Sequence, residues 1–267
     1  MSAIDTLFAE LRSTGRKAFM PFVTAGDPDL EFTSQLIRRL DALGCSLFEL
    51  GIPYSDPVAD GPVIQASFTR ALDHKVKLAD ILAMTKNTTA QIKSPIVSML
   101  SYAIVFRHGL ERYVADAKAA GISGAIVPDL PVDEAAPLAE ICRRQDFSLV
   151  QLITPTTPRD RAIRIAEQTT GFIYYVSVTG ITGERTELPP DIVDNVAWLR
   201  SQTPLPICIG FGISQPKHVR MLLPVADGLI VGSAIVRHLA EATQKPRKQI
   251  LDEIDAYAAE LLAAMEK

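Results

Sequence analysis

Short apolar runs, most rich in Val, Ile and Leu, alternate with stretches of helical periodicity along almost the whole 267-residue chain, and this alternation restricts its fold most. The runs lie at Ala18–Thr24, Ser46–Gly51, Pro95–Leu100, Gly124–Pro128, Ser148–Ile153, Phe172–Val176, Pro206–Gly210 and Gly228–Gly232. Most show little polar alternation, as strands covered on both faces do, and that points to a parallel sheet. Between them Leu36, Leu40 and Leu43 form one helical stripe, Tyr113, Ala117 and Ala120 another, and Ile192, Val196 and Leu199 a third. Eight strand-then-helix units in about 250 residues predict an α/β fold, the eight-stranded parallel (β/α) barrel or TIM barrel. An open doubly wound sheet is the alternative. It calls for Gly-x-Gly-x-x-Gly after the first strand, and the chain instead has Val23-Thr24-Ala25-Gly26-Asp27-Pro28. Ile4, Leu7, Phe8 and Leu11 predict an extra N-terminal helix, and Ile250, Leu251, Ile254, Leu261, Leu262 and Met265 a closing one within Pro246–Glu266. No composition shift or linker divides the chain, so the expectation is a single domain over residues 1–267.

Composition narrows the function classes. Hydrophobic residues make up 48% and charged residues 22%, enough for a substantial core. A net charge of −4 argues against a nucleic-acid binder. No apolar stretch reaches the roughly 18 residues of a membrane span, and MSAIDTLFAELRSTGRK has early acids and no apolar signal core. Cys45, Cys142 and Cys208 are odd in number and widely spaced, which points to a reducing compartment, and Cys45 and Cys208 sit in or beside expected strands as small core residues. A cytoplasmic protein is expected.

In such a barrel ligands bind at the carboxyl ends of the strands. The second run, Ser46-Leu47-Phe48-Glu49-Leu50-Gly51, holds an acid in an apolar context, which is costly unless the acid is paired or used. Period two places Leu47, Glu49 and Gly51 on one face and Phe48 and Leu50 on the other, so Glu49 is expected to point into the barrel near its top. An apolar wall would raise its pKa, which suits a group that gives and takes a proton. A structural glutamate paired with an arginine is the competing reading, and no arginine falls at an expected strand top. Asp56 and Asp60 follow in a Pro-rich loop. Each on its own also fits a turn-former, and Asp60-Gly61-Pro62 also fits the start of a helix.

The last two strands end in Gly210-Phe211-Gly212-Ile213-Ser214 and Gly232-Ser233-Ala234. Glycines there let backbone amides approach an anion, and the loops after the seventh and eighth strands are the usual phosphate site of this architecture, so a phosphate site is favoured over the competing reading as plain turns. The sixth strand runs into a long polar loop, Ser177 to Pro190, which reads equally as a lid or as a plain surface loop. No lysine ends an expected strand, leaving a Schiff base without a nucleophile. His74, His108, His218 and His238 are scattered, which disfavours a strand-end metal site. Carboxylate acid/base catalysis on a phosphorylated substrate remains.

The segment Phe48-Glu49-Leu50-Gly51-Ile52-Pro53-Tyr54-Ser55-Asp56-Pro57-Val58-Ala59-Asp60-Gly61-Pro62 resembles the signature of the tryptophan synthase alpha subunit family. So do Pro21 to Pro28, Tyr102, Val127 to Pro131, Gly180-Ile181-Thr182-Gly183, Gly210 to Ile213 and Gly232 to Val236, in order along the chain. The resemblance implies a barrel that splits indole-3-glycerol phosphate into indole and glyceraldehyde 3-phosphate without metal or Schiff base. It implies Glu49 as general acid/base and Asp60 as the group that meets the indole N–H. It implies an indole pocket of Phe22, Leu100, Tyr102, Ile126, Tyr174 and Phe211, a phosphate site of Gly183, Gly212, Gly232 and Ser233, and a lid residue, Thr182, that meets Asp60 on closure. It further implies no cofactor in this chain. The partner is a beta subunit carrying pyridoxal phosphate in an alpha2-beta2 tetramer, reached through the Pro53–Asp60 loop, with Pro53 and Asp56 at the interface. The apolar run Ala103-Ile104-Val105-Phe106 either adds to that surface or packs beneath a helix.

Two departures stand out. Tyr54 occupies a position where many members have Phe, and Glu184-Arg185-Thr186-Glu187-Leu188 fits no fixed family pattern. Two other functions share the scaffold. A phosphosugar isomerase or an indole-glycerol phosphate synthase would use the same phosphate loops, although the synthase would want a lysine acid. A non-catalytic regulatory barrel would be marked by loss of Glu49 or Asp60, and both are present.

Overall fold

The computed structural model describes residues 2–57, 60–177, 191–210, 212–242 and 244–266. Its strands are β1 (Ala18–Thr24), β2 (Phe48–Gly51), β3 (Ile96–Met99), β4 (Ile122–Ile126), β5 (Ser148–Val150), β6 (Leu152–Ile153), β7 (Ile173–Val176), β8 (Ile207–Gly210) and β9 (Gly228–Val231). Its helices are α1 (Ala3–Ser13), α2 (Leu30–Ala42), α3 (Pro62–Asp73), α4 (Leu78–Thr89), α5 (Tyr102–His108), α6 (Leu110–Ala119), α7 (Ala136–Arg144), α8 (Arg159–Gln168), α9 (Ile192–Gln202), α10 (Pro216–Leu222), α11 (Ser233–Leu239) and α12 (Arg247–Ala263).

All the strand pairings are parallel, in the order β5-β4-β3-β2-β1-β9-β8-β7-β6. The expected fifth strand, Ser148–Ile153, is divided at Gln151. Its first half pairs with β4 and its second with β7. These halves are one run of chain at the two ends of the sheet order, so the sheet curls into a nearly closed barrel there. The nine strands are therefore the eight of the expected barrel with one interrupted.

Burial explains why the strands lacked alternation. All seven residues of β1 and all four of β2, β3, β7, β8 and β9 are buried. One face fills the barrel and the other meets the helices. The expected helical stripes fall in α2, α6 and α9, except that Leu43 is the exposed C-cap of α2 and Ala120 the buried C-cap of α6. The extra N-terminal helix is α1. Ser2 caps it by accepting from the Asp5 amide at 3.2 Å, and Asp5 accepts from the Ser2 amide at 2.9 Å. Its buried face, Ile4, Phe8 and Leu11, packs at the N-terminal end of the barrel, where the Phe8 and Phe172 rings are 5.8 Å apart. The closing helix is α12, tied to α2 where Arg39 Nε donates to Asp255 at 2.7 Å. The three cysteines are buried and free. Among the described residues no helix is long and apolar enough to cross a membrane.

Candidate active site

Strand register brings the chemistry together at the carboxyl end of the barrel. Glu49 on β2 lies between Phe22 of β1 and Val97 of β3. It is 1% exposed, and neither carboxylate oxygen has a hydrogen-bond partner among the described residues. Such an orphaned acid favours its neutral form. Burial, and then the charge of Asp60, push its pKa up to about 8.

Asp60 ends the loop between β2 and α3 and is 4% exposed. Gly61, not Asp60, is the N-cap of α3, and it makes no side-chain capping bond. The Asp60 carboxylate is thus left for other work. Its Oδ2 accepts from Tyr54 Oη at 3.3 Å. Burial raises its pKa to about 6, with the Tyr54 bond pulling the other way. A glutamate near 8 and an aspartate near 6 make a proton donor beside an ionised acceptor at neutral pH.

Tyr174 completes the cluster. It lies on β7, four strands from β2 in the sheet order and so across the barrel. Burial raises its pKa, and then so do the charges of Glu49 and Asp60. That coupling agrees with the inward parity expected for Glu49, since a side chain aimed at the helices would lie away from β7. Two glycines make room for the aromatic walls. A Cβ on Gly51 would lie 2.7 Å from Phe22 Cε2, and one on Gly210 would lie 2.7 Å from Tyr174 Cζ.

Of the expected indole pocket, Phe22 and Tyr174 are buried within β1 and β7, Ile126 ends β4 and Leu100 just follows β3, both also buried. Tyr102 is half-buried at the first turn of α5, and its amide donates to Asp129 Oδ1 at 2.7 Å. Phe211 lies outside the described residues, as do Thr182 and Gly183 and the expected lid. Of the expected phosphate groups, Gly212 follows β8 with φ +74°. Gly232 is the N-cap of α11 and Ser233 its first residue. The β8 loop is braced from behind, where Tyr257 Oη on α12 donates to the Ser214 carbonyl at 3.0 Å.

Pro53 and Asp56 line a groove of about 540 Å³ beside the site, together with Tyr54, Ala103, Ile104 and Arg107. The apolar run past β3 divides between its two readings. Val105 is buried, Ile104 lines the groove, and Phe106 is 66% exposed.

Sequence reasoning missed three residues. Tyr54 was seen only as a departure, and the signal was its hydroxyl, six positions before an acid on the same loop. Asp129 ties the β3 and β4 loops together by accepting from Ser101 Oγ at 2.7 Å and from the Tyr102 amide. Asp27, buried at the top of β1, accepts from Ser67 and Arg70 of α3. Among the described residues no group of three or more His, Cys, Asp or Glu side chains could hold a metal ion.

The tryptophan synthase alpha chain family model matches residues 8–266. The tryptophan synthase alpha chain of Rhodopirellula baltica is 54% identical over 263 residues, covering 97% of this chain and 95% of its own length. Among solved structures, tryptophan synthase subunit alpha from Legionella pneumophila superposes with a TM-score of 0.90 at 31% identity, covering 100% of this chain and 99% of that one. A chain from the tryptophan synthase a2b2 complex of Pyrococcus furiosus superposes with a TM-score of 0.86 at 38% identity, covering 93% and 99%.

Proposed function

Because the chain belongs to the tryptophan synthase alpha chain family, a lyase family that cleaves indole-3-glycerol phosphate in tryptophan biosynthesis, we propose that Glu49 and Asp60 perform that cleavage at the mouth of the barrel. The observation that carries this reading is the orphaned Glu49 carboxyl, sealed in apolar surroundings beside Asp60.

At neutral pH Glu49 holds a proton. It gives that proton to the ring carbon that bears the glycerol side chain, and positive charge spreads onto the indole nitrogen. Asp60, ionised, accepts the indole N–H and stabilises that charge. The Glu49 carboxylate then takes the proton of the neighbouring side-chain hydroxyl. The carbon–carbon bond breaks, its electrons restore the indole ring, and the carbinol becomes the aldehyde of glyceraldehyde 3-phosphate. The proton count closes on Glu49, which ends as it began.

Phe22, Leu100, Tyr102, Ile126, Tyr174 and Phe211 would hold the indole. Gly183, Gly212, Gly232 and Ser233 would hold the phosphate through amides and a hydroxyl, and Thr182 would meet Asp60 when the loop after β7 closes. The chain acts as one barrel domain and needs no cofactor of its own. Its partner is a tryptophan synthase beta subunit carrying pyridoxal phosphate, in an alpha2-beta2 assembly docked on Pro53, Asp56 and the groove beside them. A cytoplasmic location fits this biosynthetic role.

The test is an assay of the purified chain for indole and glyceraldehyde 3-phosphate in equal amounts, with and without a beta subunit. Asp60→Asn should lower turnover by about 100-fold or more. A chain that binds a beta subunit but releases no indole would instead be a regulatory barrel.

A further inference from the structure

We propose that Tyr54 is a positioning residue for this cleavage: its hydroxyl, held in place by one face of α3, fixes the Asp60 carboxylate where it meets the indole N–H. The inference rests on the role given to Asp60 above.

Asp60 stands at the end of a loop, and a loop carboxylate is useful at a fixed point only if its neighbours hold it. Its backbone is held first. The Asp60 amide donates to the Pro57 carbonyl at 3.0 Å. Gln65 Nε2 donates to the Asp60 carbonyl at 2.8 Å and to the Pro57 carbonyl at 3.2 Å. The carboxylate is held second, by Tyr54 Oη at 3.3 Å.

Both holds originate on α3. Gln65 and Phe68 are three residues apart and so share one helix face. Phe68 is fully buried, and its ring packs against that of Tyr54 with centroids 5.4 Å apart and planes at 59°. Phe68 therefore sets where the Tyr54 ring lies, while Gln65 sets where the Asp60 backbone lies. The hydroxyl and the carboxylate meet because a single rigid helix places both.

The direction of that hydrogen bond is fixed. Burial, then the charges of Asp60 and Asp129, raise the Tyr54 pKa above its ordinary value, so the hydroxyl keeps its proton and donates. A donated bond favours the ionised carboxylate. Among the described residues, the other titratable groups that face this pair are Glu49 from β2, Tyr174 from β7 and Asp129 from the loop after β4. When ionised all of these are negative, and burial also favours neutral Asp60. The Tyr54 hydroxyl opposes both, which keeps Asp60 charged where the reaction needs a charge.

Tyr54→Phe removes the hydroxyl and keeps the ring that packs on Phe68. The experiment measures indole release from indole-3-glycerol phosphate by the full chain across pH 5 to 9, with thermal unfolding as control and Asp60→Asn assayed alongside. The expected result is a kcat lower by roughly tenfold, a KM within about twofold, and an acid limb moved up by about half to one pH unit. A wild-type kcat with an unmoved acid limb overturns the proposal. So does a lower kcat that comes only with a lower unfolding midpoint and an unmoved limb, because the hydroxyl then serves the fold alone. The control separates the two levels. If Asp60→Asn turns over at the wild-type rate, the role of Asp60 fails and this inference with it. If Asp60→Asn is crippled and Tyr54→Phe is not, only the role of Tyr54 fails.

Discussion

Glu49 and Asp60 sit close enough inside the barrel for the charge of Asp60 to add to the burial that raises the Glu49 pKa, to about 8. Asp60, with Tyr54 donating to it, titrates lower, at about 6. The two carboxyls therefore titrate in sequence, so that near neutral pH Glu49 holds a proton while Asp60 is ionised.

A bell-shaped pH profile follows. Catalysis needs Asp60 ionised and Glu49 protonated, so kcat for indole release rises through about pH 6 and falls through about pH 8. Because the groups interact, the two limbs belong to the pair rather than to single residues. Steady-state rates across this range check it. A flat profile would contradict a reaction that needs Glu49 protonated and Asp60 ionised.

The same acid sets a pH dependence of stability. The folded chain keeps the Glu49 proton up to about pH 8, whereas the ordinary value is 4.5. Stability from this group is present in full below 4.5 and is lost as the pH rises to 8. Glu49→Gln, which cannot ionise, should match the wild type near pH 4.5 and exceed it at pH 8 by on the order of a few kcal/mol. Urea unfolding at both pH values reads the difference, and a gap that narrows as pH rises would have the wrong sign.

The helix that carries Gln65 and Phe68 is itself anchored. Asp27 is 1% exposed and accepts from Arg70 Nε at 3.0 Å as well as from Ser67. Arg70→Met should cost about 3–5 kcal/mol by leaving a buried carboxylate uncompensated. Adding Asp27→Asn should recover part of that loss. Urea unfolding of the single and double variants checks the coupling.

Gly210 is required by its neighbour rather than by a turn. A Cβ there would press on the Tyr174 ring, whose hydroxyl feels the charges of Glu49 and Asp60. Gly210→Ala should cost about 1–3 kcal/mol in stability through overpacking and raise KM as the pocket wall shifts. Unfolding and KM measured on the same preparation test it.

Phe106 is 66% exposed near the groove lined by Pro53 and Asp56. Phe106→Glu should weaken binding of a beta subunit by roughly tenfold or more and leave indole release by the isolated chain unchanged. A titration of each form into the beta subunit measures this.

The barrel was legible because its strands are buried on both faces, so apolar residues run on in β1 and β9 instead of alternating. The break at Gln151 was not legible. It arises from where pairing passes from β4 to β7, a tertiary matter that Ser148–Ile153 does not encode locally. Glu49 was legible because an acid inside an apolar strand is rare. Asp60 was ambiguous because loop aspartates are ordinarily turn-formers, and only its burial and the capping of α3 by Gly61 separate it from them. Tyr54 could not be assigned a role from sequence, since the position of its hydroxyl depends on a ring contact with Phe68, fourteen positions away.

The central claim is that Glu49 carries the proton. Single-turnover release of indole from indole-3-glycerol phosphate, measured at pH 7 with wild type and Glu49→Gln, tests it most directly. Glu49→Gln keeps the shape of the side chain and removes its proton chemistry, so the account predicts a rate lower by at least about 100-fold with the fold intact. A rate equal to wild type from the folded variant would contradict it.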